Sequence, residues 1–283
     1  MNDYAISILL GIVEGLTEFL PVSSTAHLRL CKAPLGLDLH DPYWKMYDVV
    51  IQFGAVLAVV VYFRKRIADF LRSFPRGRDG STNLLTHPLS MVLIASVVTA
   101  IPAYLLDKKI GENLENLRVI GGALLVGGIL MWVIDRMFTR PVVNRLEDIS
   151  YPQAIFIGAA QILAAAFPGT SRSMSTIAAG QISRLSRPAA LEFSFFLSIP
   201  IMFAAFAYKL IQAVRGKGSG DQVLTMDAHR WGVLAVGFVV SFFVAWAVIA
   251  WFMAWVKRRG FVPFAIYRII LGIVVLAVAW KGA

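Results

Sequence analysis

The chain of 283 residues is 58% apolar and only 16% charged, where a soluble domain averages about 45–50% and 25%; that balance excludes a cytosolic or secreted enzyme and makes this an integral membrane protein. A formal charge of +10 would suit a nucleic-acid binder, but the cations sit in short loops between apolar stretches, where they set membrane topology, so no nucleic-acid partner is expected. At about 20 helical residues per crossing of a roughly 30 Å hydrocarbon core, residues 1–283 have room for a single membrane domain and none for a separate soluble one, and the lone Cys31 forms no intrachain disulfide.

From the N-terminus, residues 4–20 are apolar but lack a basic leader and a small-residue cleavage site, so they read as part of the fold and not as a signal peptide. This segment carries Glu14, Thr17 and Glu18 and stops at Pro21. At 1.5 Å per residue it is about 25 Å long, and it is not expected to cross the membrane alone. Six segments are long and apolar enough to do so: 47–63, 88–106, 119–134, 193–211, 231–256 and 262–280. Between the third and fourth, residues 152–167 end in Pro168-Gly169 and are followed by a second short segment, 171–182.

Residues 4–31 and 151–183 thus read as two re-entrant helical hairpins, because broken backbone at membrane depth is tolerated only where protein or a water-filled cavity satisfies it. A shift of 147 aligns Gly11 and Glu14 with Gly158 and Gln161, Pro21 with Pro168 and Ser24 with Ser171, which suggests an internal repeat. The basic clusters Arg64, Lys65, Arg66, Arg72, Arg76, Arg78 and Lys257, Arg258, Arg259 are placed in the cytoplasm. The first hairpin then enters from outside and the second from the cytoplasm. The expected fold is all-α: a polytopic membrane protein with six transmembrane helices and two re-entrant hairpins in an inverted-topology repeat.

Glu14 and Glu18 are four apart, on one helix face with Asp3, Ser7 and Thr17 extending the polar stripe. Ionisable groups inside a membrane segment are functional candidates, and two hard oxygen ligands suit Mg²⁺ or Ca²⁺ better than zinc; the bland alternative is a pair that touches water at the interface. The next residues, Ser23, Ser24, Thr25 and His27, put hydroxyls at a helix start, where backbone N–H groups and the dipole attract anions. They read either as caps or, with His27 on the face of Ser24, as a nucleophile and proton donor. In the second hairpin, Ser171, Arg172, Ser173 and Thr176 follow a tight Pro-Gly turn and read as a phosphate cradle, the alternative for Arg172 being a salt bridge to Glu14 or Glu18. Gln52, Glu192, Ser194 and Arg268 are given supporting roles, and His40, His87 and His229 none.

The stretches Glu14-Gly15-Leu16-Thr17-Glu18-Phe19-Leu20-Pro21-Val22-Ser23-Ser24-Thr25-Ala26-His27 and Pro168-Gly169-Thr170-Ser171-Arg172-Ser173 resemble the two signature motifs of the undecaprenyl-diphosphate phosphatases, and the similarity extends over essentially the whole chain. The resemblance implies a multi-pass enzyme of the bacterial inner membrane, with its site open to the periplasm, that hydrolyses undecaprenyl diphosphate to undecaprenyl phosphate and inorganic phosphate. It further implies recycling of the lipid carrier for peptidoglycan synthesis, bacitracin resistance, dependence on a divalent cation, and membrane lipid as a partner; the sequence itself leaves monomer and homodimer open. By position, Glu14 and Glu18 would serve the metal, Glu18, Ser24, His27 and Arg172 catalysis, and Ser23, Thr25, Ser171, Ser173 and Thr176 the substrate. Met174 and Ala26 depart from the family pattern. The alternative from another class is a secondary transporter or lipid flippase with a midplane anion site.

Overall fold

The computed structural model describes residues 2–39, 41–75, 86–105, 116–214 and 226–281; His40, Arg76, Arg78 and Leu106 lie outside them. Over the described residues the chain forms eleven α-helices: α1 Asp3–Thr17, α2 Ser24–Lys32, α3 Pro42–Tyr62, α4 Arg64–Ser73, α5 Pro88–Leu105, α6 Leu117–Met137, α7 Tyr151–Ala166, α8 Arg172–Ile182, α9 Arg187–Val214, α10 Ala228–Arg259 and α11 Val262–Lys281. Six stretches are long and apolar enough to cross a membrane: Pro42–Tyr62, Pro88–Leu105, Leu117–Met137, Arg187–Tyr208, Ala228–Arg259 and Val262–Trp280. The protein is an all-helical, multi-pass membrane protein. At 15 and 16 residues, α1 and α7 fall short of the roughly 20 that a crossing needs.

Three of the crossing helices run further than the apolar pattern suggests, and in two of them the charges that appear to end the helix have partners. α3 begins at Pro42, five residues before the apolar stretch, and Lys32 bonds its first turns, with Nζ 2.6 Å from Asp48 Oδ1 and 3.3 Å from Trp44 O. α6 continues past Ile134, and α9 starts at Arg187, because Asp135 accepts from Arg187 Nε at 2.7 Å. Buried charges are tolerated when paired and hydrogen-bonded.

The chain divides into two compact units. The first comprises Met1–Phe19, Ser24–Tyr62 and Ser198–Ala250. Here the small face of α1 lies directly on α10: a Cβ added to Gly15 would come within 2.7 Å of Val244 Cβ. Such close approach is how small residues pack helices in lipid. One turn before Gly11, Ser7 Oγ donates to Val233 O at 2.6 Å, and Tyr47 Oη donates to Ser7 O at 2.9 Å. Ile6, Leu10, Leu28, Tyr43, Trp44 and Ile51 fill the core around them. Lys32 at the end of α2 meets the first turns of α3, and Asp3 Oδ2 at the start of α1 lies 3.0 Å from His229 Nε2 at the start of α10.

The second unit comprises Leu20–Ser23, Phe63–Leu197 and Trp251–Ala283. Two polar hubs organise one end of it. Asp135 is 1% exposed and accepts from Gln181 Nε2 at 2.9 Å, Arg187 Nε at 2.7 Å and Nη2 at 3.0 Å, and Phe261 N at 3.1 Å, so one carboxylate joins α6, α8, α9 and the start of α11. Arg66 grips Glu147 with both guanidinium nitrogens, at 2.9 and 3.1 Å, and reaches Glu192 with Nε at 2.8 Å. Burial works to discharge Arg66, yet the two carboxylates hold its pKa above the ordinary value. Burial likewise favours the neutral form of Glu147, but its own backbone N–H and Arg66 outweigh this and lower its pKa. Gln153 Nε2 donates to Ser183 O at 2.8 Å, which brings the start of α7 to the end of α8 and makes the pair a hairpin.

His87, given no role by the sequence, links α4 to α5. Its Nδ1 accepts from Leu89 N at 3.2 Å, so the proton sits on Nε2 and donates to Ser73 Oγ at 3.0 Å. Burial lowers its pKa.

Candidate active site

In the first unit, Glu14 and Glu18 lie one turn apart at the end of α1 and are 0% and 6% exposed. Helical spacing places both on the face that carries Ser7 and Gly11. Thr17 is turned away from chemistry, its hydroxyl donating back to Val13 O at 2.6 Å. The chain reverses after Phe19, and α2 opens with Ser24, whose Oγ donates to Glu18 Oε2 at 2.6 Å. Thr25 and His27 are half-buried on α2, with His27 three residues after Ser24 and thus on its face.

In the second unit, Pro168 and Gly169 end α7 and Ser171 caps α8, accepting from Met174 N at 3.3 Å. Ser171 has φ 74°, and so does Ser23, the residue before α2. Positive φ in a residue with a side chain is uncommon and costs about 1–3 kcal/mol, so each turn holds a strained serine immediately before a helix start. This conformational match pairs Ser23, not Ser24, with Ser171, one residue off the shift of 147.

The remaining hydroxyls are closely bonded. Ser171 Oγ lies 3.0 Å from Ser173 Oγ, and Ser175 Oγ donates to Ser171 O at 3.0 Å. Thr176, 1% exposed, lies with Oγ1 2.7 Å from Ser194 Oγ. Arg172 is half-buried and donates from Nη1 to Ser194 O at 3.1 Å. Ser194 therefore backs the turn from α9, supporting both Arg172 and Thr176.

The peptide Leu20–Ser23, which connects Glu18 to Ser24 along the chain, belongs to this same unit. Ser173 Oγ donates to Leu20 O at 2.9 Å. Arg268, 0% exposed, donates from Nη1 to Pro21 O at 3.2 Å and from Nη2 to Gly169 O and Ala123 O, both at 3.1 Å. One guanidinium thus holds both turns by their carbonyls. The space it needs comes from α6, where a Cβ on Gly127 would collide with Arg268 Nη2 and come within 2.7 Å of Met174 Cε. Met174 and Ala26, the two departures from the motif pattern, are both buried, and Met174 packs into the room that Gly127 leaves.

Glu192 and Arg268, expected as supporting ion pairs, behave differently from each other. Glu192 pairs with Arg66. Arg268 has backbone carbonyls as its partners, which no motif of acids and bases could indicate; the available signal was an arginine inside an otherwise uncharged crossing helix. Gln52 is half-buried on α3.

The donor set also bears on a metal. Among the described residues no three His, Cys, Asp or Glu side chains cluster, so a cage of four or more protein ligands is not formed by these types. Two buried carboxylates are nonetheless what Mg²⁺ uses when waters and phosphate oxygens complete its shell. The residues fit a hard divalent cation of that kind.

The family model described as Bacitracin resistance protein BacA matches residues 7–274. The chain belongs to this family. Among curated relatives, the undecaprenyl-diphosphatase of Koribacter versatilis is 57% identical over 99% of this chain and 100% of its own length. Proteins of the same name from Polaromonas naphthalenivorans and Rhizobium etli are 41% and 38% identical, over 97% and 99% of this chain and 94% and 98% of theirs. Both polar turns lie within the residues that the family model matches.

Proposed function

We propose that this protein hydrolyses undecaprenyl diphosphate to undecaprenyl phosphate and inorganic phosphate in the bacterial inner membrane, returning the lipid carrier to peptidoglycan synthesis and conferring bacitracin resistance. The observation that carries the chemistry is the 2.6 Å hydrogen bond from Ser24 Oγ to Glu18 Oε2, a hydroxyl already bonded to the group that would take its proton. In this reading Ser24 Oγ attacks the terminal phosphorus as its proton passes to Glu18. The bond from that phosphorus to the bridging oxygen breaks, and undecaprenyl phosphate leaves. Water then hydrolyses the phosphoserine, with His27 placed one turn away to take a proton from it.

Arg172 binds the phosphoryl oxygens as charge builds on them. Ser171 and Ser173, with Ser23 and Thr25 in the first motif, offer further hydroxyl and backbone donors at helix starts. Thr176, occupied with Ser194, orders the turn that presents Arg172. A divalent cation would be held by Glu14 and Glu18, supplying electrostatic stabilisation of the diphosphate.

The helix pairs α1–α2 and α7–α8 are read as re-entrant hairpins of an inverted repeat. In support, the ends of α1–α2 lie where α3 and α10 begin, while the ends of α7–α8 lie beside the residues that follow α3 and α10. Arg64, Lys65, Arg66 and Lys257, Arg258, Arg259 belong to that second end, which the charge rule places in the cytoplasm. The first hairpin then opens to the periplasm. The protein works as a monomer or a homodimer, a choice that light scattering on the detergent-purified protein decides.

The test is phosphate release from undecaprenyl diphosphate by purified protein, with and without chelator. Glu18→Gln, Ser24→Ala and Arg172→Ala should each lower kcat/KM by about 10²–10⁴, and chelator should abolish release. A folded wild-type protein that releases no phosphate would overturn the reading and leave transport of a lipid or anion in its place.

A further inference from the structure

A cavity of about 660 Å³ opens along the outer side of the second unit, between α6, α7 and α8. Its walls are apolar, formed by Val126 and Leu130 of α6, Leu163 of α7, Phe167 just after it and Ala178 and Ile182 of α8, and its polar lining includes Thr170 of the serine-rich turn, Ser175 in the first turn of α8 and Arg118 at the start of α6. The groove therefore runs from the turn that presents Arg172 along the apolar flank of the helices. From Val119 to Ile134, both on its wall, α6 rises about 22 Å at 1.5 Å per residue. Several side chains along it, including Val126, Leu130, Leu163 and Phe167, are 50% exposed or more, so a chain can enter sideways from the bilayer.

One residue keeps the groove open without a structural need of its own. A Cβ added to Gly122 would meet nothing within 4 Å, and glycine inside a helix costs about 1 kcal/mol relative to alanine. Gly122 is therefore not there to let another helix approach. It lines the cavity and leaves space in it.

We propose that this groove holds the prenyl tail of the substrate, with the diphosphate end at Thr170 and the start of α8 and the isoprene units laid along α6 toward Ile134. The inference rests on the phosphatase reading above. The occupant is specified by continuity: an apolar channel about 22 Å long that begins at the phosphate turn suits one molecule with a phosphorylated head and a long unbranched-backbone hydrocarbon tail. It also makes selectivity graded, since a short tail touches only the Gly122 end and a long one reaches Ile134.

The test compares kcat/KM for undecaprenyl and farnesyl diphosphate in purified wild-type protein and three variants. Gly122→Leu fills the groove beside the turn and should lower kcat/KM for both substrates about tenfold or more, the scale of a misplaced methylene group in an apolar pocket. Ile134→Trp fills the far end, about 18 Å from Gly122 along the helix, beyond an extended farnesyl tail; the undecaprenyl-to-farnesyl ratio should fall about tenfold. Ile273→Trp, on the exposed face of α11 outside the groove, should change neither. Monodisperse elution and a melting temperature near wild type establish that Gly122→Leu is folded. Both groove variants keeping the wild-type ratio and rates would overturn the proposal and leave the groove to bilayer lipid. If the wild type itself releases no phosphate from either diphosphate, the phosphatase reading fails, and this inference falls with it.

Discussion

Replacing Asp135 by alanine isolates the energetic role of a single buried carboxylate. In the native protein it is 1% exposed and accepts from Gln181, Arg187 and the backbone of Phe261. Removing one partner of a buried ion pair costs about 3–5 kcal/mol, because the other is left uncompensated. Here the Arg187 side chain is 38% exposed and can turn toward water, which argues for the lower end. The Gln181 amide and the Phe261 N–H remain buried and lose an acceptor, which keeps the total near 3 kcal/mol. For a domain of this size each kcal/mol moves the melting temperature by about 2–4 °C, so Asp135→Ala should melt about 6–12 °C below wild type, read as the monodisperse fraction left after heating in detergent. Asp135→Asn keeps one acceptor and should fall between. Adding Arg187→Ala to Asp135→Ala should cost little more, a coupling of the two sites that distant residues do not have. An Asp135→Ala protein melting within about 2 °C of wild type, or strictly additive losses in the double variant, would refute the assignment of this carboxylate as the joint of four helices.

Other perturbations address different links. Gly15→Leu should separate α1 from α10 and displace Glu14 and Glu18, lowering phosphate release by at least about tenfold through misplacement of the reacting groups, with reduced yield of folded protein as the second readout. Thr176→Val keeps shape but removes the bond to Ser194; it should cost about 1–3 kcal/mol of stability for the buried polar group left behind and reduce kcat/KM less than Arg172→Ala does. His87 is neutral with its pKa lowered by burial, so the unfolded chain takes up the proton first. Its contribution is complete above the ordinary histidine value of about 6.5 and is lost as pH falls through the lower folded value. Thermal stability should therefore decline on acidification, and His87→Gln should flatten that decline.

Much of the architecture was legible in the sequence because a bilayer demands long uncharged helices, and few other arrangements of 283 residues satisfy it. The short polar segments stood out for the same reason: Glu14, Glu18 and Arg172 are expensive in that setting. Legibility failed where cost was cancelled by a partner far away in sequence. Asp135 lies just past the end of an apolar segment, and sequence alone does not match Arg187 to it. Arg268 was harder still, since its partners are carbonyls, which every residue has. The one-residue difference in register between the two turns arises because backbone conformation, with Ser23 and Ser171 at φ 74°, follows the helix start and not the nearest identical side chain.

Arg268 also sets an order of events during synthesis. Its carbonyl partners at Gly169 and Pro21 are made 99 and 247 residues before it, so a growing chain carries both turns through the membrane machinery with those oxygens unclamped. Only when α11 inserts does the guanidinium arrive, and with it the bonds that fix the two loops. Chain order therefore makes the last of these helices the one on which both turns depend for these bonds.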